Sequence, residues 1–123
     1  MANPNIAGLT TVHGKFAGLK LASTSATPLV YNDTNVAANK VFKINSIVIS
    51  NVDSTNSATV DVILRNNYSV DYHLAKGITV QANATLVVVS KDTQLYLEED
   101  HKILVTASAA NRLEAICSYE EIS

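Results

Sequence analysis

The sequence predicts an all-β fold, an antiparallel β-sandwich or jelly-roll-like barrel of about eight strands in a single domain. Apolar and polar residues alternate with a period of two along most of the chain, and no segment has a helical period. Short runs rich in asparagine, serine and threonine separate the alternating segments and are typical of turns. The chain has 123 residues, of which 47% are hydrophobic and 16% charged. This length and composition suit one domain with a buried core.

The N-terminal end differs from the rest of the chain. Residues 1–8 lack periodicity, so we predict an N-terminal arm there and a β-sandwich domain over residues 9–123. Within the domain, residues 9–21 are predicted to form a long strand interrupted by glycines. Residues 29–31 are predicted to form a short strand after it.

Two segments, residues 44–49 and 86–89, are almost continuously apolar, which predicts central strands covered on both faces. Residues 78–80 and 95–97 are predicted to be shorter strands. Four further segments alternate strictly, so one set of side chains in each should face the core. These inward residues are Val60, Val62 and Leu64; Tyr68, Val70, Tyr72 and Leu74; Ile103, Val105 and Ala107; and Leu113, Ala115, Cys117 and Tyr119.

Two turns follow from the alternation. Cross-strand partners share a face, so the inward sets can meet only across loops with an odd number of residues. This predicts hairpins closed by Arg65-Asn66-Asn67 and by Ala109-Ala110-Asn111. With only four glycines in the chain, asparagine is expected to supply the left-handed backbone, at Asn67 and Asn111 in particular.

The first of these hairpins would place Asp61 opposite Asp71, where two like charges repel. A shifted pairing would face Asp61 with His73, but it would put a bulky tyrosine in the left-handed position. A cation bound between the two aspartates is one resolution. Solvent screening, or placement of the two segments in different sheets, is another.

Other polar residues give no pattern of catalytic or metal-binding spacing. His13, His73 and His101 stand on separate segments, without the close pairs that zinc sites commonly use. The acidic run of residues 98–100 and the pair at residues 120–121 are predicted to be solvated.

Cys117 has the parity of its core neighbours and no histidine near it in sequence, which predicts a buried structural thiol. No serine lies in a nucleophile elbow and no glycine-rich loop is present. We therefore predict no catalytic, cofactor-binding or metal-binding residue, no cofactor and no enzymatic activity. The tyrosines are expected to be mostly core-facing: Tyr31, Tyr68, Tyr72, Tyr96 and Tyr119.

Partners are constrained by charge and hydropathy. The net charge of −2 gives no basic surface for nucleic acid. The longest aliphatic run, at residues 86–89, is far too short to span a membrane. We accordingly expect neither a nucleic-acid nor a membrane partner.

Several strand and turn segments resemble small virion structural proteins of tailed bacteriophages, especially phages that infect marine cyanobacteria. The resemblance spans nearly the whole chain and lies in MANPNI (1–6), VFKINSIVISNVD (41–53), YHLAK (72–76), ATLVVVSKD (84–92), LYLEE (95–99), ILVTA (103–107), LEA (113–115) and SYEEI (118–122).

The resemblance implies a non-enzymatic virion protein, made in the host cytoplasm, that decorates or cements the capsid. Its partners would be the major capsid protein or neck and tail proteins, and symmetric sites on a particle favour a homo-oligomer. A neck or tail attachment protein is the alternative within the virion, and a glycan-binding adhesin module is the alternative outside that class. Exposed aromatic residues in a groove with asparagine and aspartate would favour the adhesin. A flat apolar patch with a polar rim would favour the lattice protein.

Overall fold

The computed structural model describes residue 8 and residues 11–123, and this part of the chain is a single all-β domain. It contains nine strands: β1 (Val12–Lys20), β2 (Thr27–Tyr31), β3 (Val41–Asn51), β4 (Ala58–Arg65), β5 (Asp71–Val80), β6 (Thr85–Val89), β7 (Leu95–Leu97), β8 (Lys102–Ala107) and β9 (Leu113–Ile122). Apart from Gly8, the predicted arm lies outside the described residues. None of the described residues belongs to a helix that is long and apolar enough to cross a membrane.

The strands form two antiparallel sheets, which confirms the predicted sandwich. The first sheet has the order β1-β9-β3-β6, with β7 paired to the same edge of β3 as β6. The second has the order β2-β8-β4-β5. The hydrophobic core lies between the two sheets and draws residues from both, among them Ile47 and Ile49 from β3 and Val60 and Val62 from β4.

Period-two alternation identifies the core-facing side of three strands. On β8, Ile103, Val105 and Ala107 are buried, and on β9, Leu113, Ala115 and Cys117 are buried, as predicted. On β4, the buried residues Val60 and Val62 precede a half-buried Leu64. Each of these strands has a neighbour on both edges, so its inward side chains are covered along most of its length.

The two continuously apolar segments have different places in the fold. β3 is central, because it pairs with β9 on one edge and with β6 and β7 on the other. The prediction of a central position was wrong for β6, which forms the edge of its sheet and leaves Val87 exposed. Burial alternates along residues 46–50 of β3 and along β6, so neither predicted segment is fully covered on both faces, as expected for a two-layer sandwich.

The turn between β4 and β5 is longer than predicted. Leu64 pairs with Tyr72 and Arg65 with Asp71, so the predicted three-residue loop through Asn67 was wrong. The left-handed residue of this turn is Ser69, with φ 61°. The side-chain oxygen of Asn66 accepts the backbone N–H groups of Tyr68 and Val70, which stabilises the wider loop.

The wider loop also explains why Tyr68 and Val70 are exposed, contrary to the prediction that they face the core. Both residues lie in the loop, outside the strand. Tyr72 shares a face with Leu64, as the parity argument required, but it is exposed because burial decreases toward edge strand β5. Farther along β5, two register shifts interrupt the alternation, one of them around Gly77 with φ 60°.

The segment between β8 and β9 is a connection between sheets, so the predicted hairpin was wrong: β8 pairs with β2 and β4, and β9 with β1 and β3. The predicted backbone conformation is nevertheless confirmed, because Asn111 has φ 62°. Its N–H donates to the carbonyl of Leu21 at 2.8 Å. Asn39 and Asn83 also have positive φ, so asparagine supplies most of the left-handed positions outside glycine.

We expect the left-handed conformation of Asn111 to make its replacement residue-specific. Asn111→Gly should be neutral or mildly stabilising, whereas Asn111→Val should cost about 1–2 kcal/mol, because a β-branched residue is strained at positive φ. The free energy of urea unfolding measures both. Asn67→Val is the matched control, since Asn67 is exposed and its φ is not positive. Equal tolerance of valine at both positions would contradict this assignment.

Cys117 is fully buried, as predicted, and burial raises the pKa of its thiol to about 12. We therefore expect the thiol to react with Ellman's reagent at neutral pH only when the protein unfolds, because the thiolate is the reactive species. Cys117→Ser should lower the free energy of unfolding by about 1–3 kcal/mol, because it buries an additional hydroxyl. Ellman titration with and without urea tests the first expectation, and thermal melting tests the second. Rapid labelling of the folded protein, or an unchanged melting temperature, would show that Cys117 is outside the core.

Two buried asparagines connect the sheets, a role that the sequence analysis missed. Asn51, at the end of β3, donates from Nδ2 to the carbonyls of Val80 (3.0 Å) in the other sheet and of Asn56 (2.9 Å). Asn32, directly after β2, donates in the same way to Leu97 (3.1 Å) in the opposite sheet and to Lys40 (2.8 Å). Each amide thus satisfies two backbone carbonyls where a strand end meets the facing sheet.

Candidate binding surfaces

The three histidines stay apart in the fold. His13 on β1 lies 3.9 Å from Glu121, His101 lies 3.9 Å from Glu98, and His73 is exposed on β5. Within residues 8 and 11–123, no three histidine, cysteine, aspartate or glutamate side chains are grouped closely enough to hold a metal ion.

Asp61 and Asp71 are not opposite each other, because the longer turn shifts the pairing of β4 with β5. Asp71 forms a two-pronged pair with Arg65, with Oδ1 2.6 Å from Nε and Oδ2 3.1 Å from Nη2. This hydrogen bonding lowers the pKa of Asp71. Asp61 instead accepts the N–H of Gly77 at 2.6 Å. The repulsion that suggested a bound cation is therefore absent from this pair.

Both acidic segments are more structured than predicted. Glu99 is buried, and Asp100 adopts φ 62° while its Oδ1 accepts the N–H and the hydroxyl of Thr34 at 3.2 and 2.7 Å. The prediction of a solvated loop tip was therefore wrong for Glu99, whereas Asp100 is half-buried and hydrogen-bonded. The side chain of Glu121 is only 11% exposed and lies 3.0 Å from the ammonium of Lys40 and 3.3 Å from that of Lys15. Burial raises the pKa of Glu121, but these two lysines outweigh it and leave the pKa below its ordinary value.

The tyrosines are mostly on the surface, so the prediction that most face the core was wrong. Tyr119 alone among the five is half-buried, with its ring 4.9 Å from that of Phe42. The exposed ones are Tyr31, Tyr68, Tyr72 and Tyr96. The exposed tyrosines lie at strand ends, on edge strands or in a loop. An inward-pointing side chain is buried only where the other sheet covers its strand.

The outer face of the first sheet carries an apolar surface, with a depression lined by Phe16, Gly18 and Ile116. Strand pairing aligns Gly18, Ile116, Val48 and Val87 in one row across β1, β9, β3 and β6. Phe16 lies two residues before Gly18 on the same face of β1. Phe16 is 77% exposed, Val87 58% and Ile116 51%, and Val48 between them is half-buried. We call Phe16, Gly18, Val48, Val87 and Ile116 the apolar face.

A polar rim borders the apolar face. On one side the next row contains Lys20 and Glu114, whose charged groups are 3.9 Å apart, and Ser50 and Thr85, whose hydroxyls are 3.3 Å apart. On the other side, Ser118 separates Phe16 from β3. The rim groups satisfy one another, so the surface combines an apolar centre with a nearly neutral border, as protein interfaces do.

A polar groove lies on the other sheet, where the loop after β2, the loop between β4 and β5, and the turn before β8 converge. Its volume is about 470 Å³, and Tyr31 and Lys102 are among the residues that line it. Tyr31 is 41% exposed. Both surface types that separate the lattice protein from the adhesin are thus present, on opposite faces of the sandwich.

The apolar face and the polar groove are the two candidate binding surfaces of the described residues. The chain matches no protein-family model and no curated protein.

Proposed function

We propose that the protein is a non-enzymatic structural protein of a tailed-phage virion, and that the apolar face attaches it to the protein lattice of the head. The observation that carries the proposal is the cross-strand row of apolar side chains with a paired polar rim. Exposed Phe16, Val87 and Ile116 would gain free energy on leaving water. Contiguous exposed apolar patches rimmed by polar residues commonly mark sites of protein–protein interaction.

The geometry of the apolar face suits a rigid partner. Hydrogen bonds across β1, β9, β3 and β6 hold the row in place, so binding would require little ordering of the chain. A shell of repeated subunits offers the same site many times, and a symmetric oligomer of this protein would engage several sites at once. The partner that fits is the major capsid protein, and residence in the virion follows from that contact.

Cryo-electron microscopy of the phage that encodes this chain tests the proposal directly. We expect copies of the sandwich on the head lattice, with the apolar face turned toward the shell. Density confined to the neck or tail would refute attachment to the head and would show that the protein is a neck or tail component. Absence from the particle, or an outward-facing apolar face, would refute the proposal.

A further inference from the structure

The polar groove has a floor of aligned strand residues. Tyr31 pairs with Lys102, Lys102 with Arg65, and Arg65 with Asp71, in one row across β2, β8, β4 and β5. Lys102 and Arg65 alternate with the core-facing Ile103 and with Leu64, so this row lies on the outer face. The apolar face and the groove therefore belong to opposite sides of the molecule and could be occupied together.

Charges in the floor compensate one another. Arg65 is held by Asp71, and the ammonium of Lys102 lies 5.1 Å from the centroid of the Tyr31 ring. Asp100 lines the groove as well, and its hydrogen bonds with Thr34 hold its pKa below the ordinary value. Two basic groups, Lys102 and Arg65, and one carboxylate, Asp100, line the groove. Asp71 pairs with Arg65 and supplies the second carboxylate, so these four groups carry no net formal charge.

The walls are built from uncharged polar side chains. Asn35 and Thr34 come from the loop after β2, and Asn67 and Ser69 come from the loop between β4 and β5. Asn35 and Asn67 are exposed residues, so their side-chain amides are accessible to a ligand. Amides donate and accept in one plane, which allows them to bind two neighbouring hydroxyl groups of a ligand.

The walls are also held in place before any ligand arrives. Asn66 ties down the backbone of its loop through Tyr68 and Val70, and Asp100 ties down the facing loop through Thr34. Ser69 and Asp100 keep positive φ values of 61° and 62°, a conformation that costs energy for residues other than glycine and that is concentrated at functional sites. Binding to such a groove would require little further ordering.

We propose that this groove binds a neutral oligosaccharide. The groove has no net formal charge that would attract an ionic ligand, and the exposed amides of Asn35 and Asn67 match vicinal hydroxyl groups. Tyr31 is 41% exposed, and the part of its ring that Lys102 does not cover provides an apolar surface for the C–H groups of a sugar. The volume of about 470 Å³ is that of a small-ligand site. This inference does not depend on the attachment proposed above, because it concerns the opposite face.

Binding of the intact protein to a printed glycan array tests the inference. The array carries neutral oligosaccharides of glucose, galactose, mannose and N-acetylglucosamine beside sulfated and uronic-acid oligosaccharides. The neutral oligosaccharide bound best is then titrated into labelled protein by NMR. We expect Tyr31→Ala and Asn67→Ala to weaken binding by about tenfold each, since each removes a direct ligand contact. Tyr96→Ala is the matched control, because Tyr96 is 47% exposed but lies on the other sheet.

Asn67→Ala keeps the test decisive if Tyr31→Ala fails to fold, because Asn67 is an exposed loop residue. Selective binding of neutral oligosaccharides that both groove variants weaken would support the inference. No array signal, a signal restricted to acidic oligosaccharides, or equal weakening in the control would overturn it. Attachment to the phage head should survive both groove variants, so the two proposals can fail separately.

Discussion

Ile116→Asp is expected to weaken attachment to the phage head by roughly a hundredfold, which corresponds to about 3 kcal/mol of binding free energy. Ile116 lies in the middle of the row, between Gly18 and Val48, so an aspartate there would be desolvated without a partner. Co-sedimentation of the purified protein with heads that lack it measures the loss. The variant should remain folded, because 51% of the side chain is exposed.

Val36→Asp is the control for this experiment. Val36 is 83% exposed, but it lies in the loop between β2 and β3, outside the apolar face. Phe16→Ala provides a second, milder variant on edge strand β1, and its binding should fall by about tenfold or more. Full binding of folded Ile116→Asp and Phe16→Ala would remove the apolar face from the attachment mechanism. Equal loss with Val36→Asp would show a general effect of added negative charge.

Asn51→Leu is expected to lower the free energy of unfolding by roughly 3–5 kcal/mol, a large part of the stability of a domain this size. The substitution keeps the approximate volume but leaves the carbonyls of Asn56 and Val80 and the N–H of Asp53 without their hydrogen-bond partner. Buried polar groups left in this way cost the full desolvation penalty. Urea unfolding followed by circular dichroism measures the change.

Asn51→Asp keeps the shape of the side chain but removes the amide hydrogens, so it tests the hydrogen bonds. The carboxylate can still accept from Asp53, but it faces two carbonyl oxygens to which the amide donated. At neutral pH this variant should therefore be destabilised at least as much as Asn51→Leu. Asn67→Leu, at an exposed position, should change stability by less than about 0.5 kcal/mol. A similarly small effect at Asn51 would show that its amide does not hold the sheets together.

Much of the fold could be predicted because period-two alternation is a local property. β8 and β9 bury the residues predicted for them, and the buried thiol of Cys117 follows from the same parity. The chemistry of asparagine correctly predicted the left-handed conformation at Asn111. The same chemistry failed at Asn67, because Asn66 organises that turn through its own side chain and moves the positive φ to Ser69.

The position of a strand within a sheet could not be predicted from the local pattern of apolar and polar residues. Residues 86–89 are as apolar as a central strand, yet β6 lies at an edge, since hydropathy does not state how many neighbours a strand has. The same limit misplaced β8 and β9 as a hairpin, although both strands face one core. A strand pair within one sheet and a pair across the sandwich bury the same alternating residues, so parity alone cannot distinguish them.

The sequence by itself determined the all-β class, the core-facing side of β4, β8 and β9, and the use of asparagine at left-handed positions. Only the tertiary structure decided the two binding surfaces. Gly18, Val48, Val87 and Ile116 come from four strands that are distant in sequence, and register alone aligns them in one row. The groove likewise needs three separate connections to meet at one end of a sheet. Local preference sets how each segment folds, whereas pairing and packing between distant segments set which side chains share a surface.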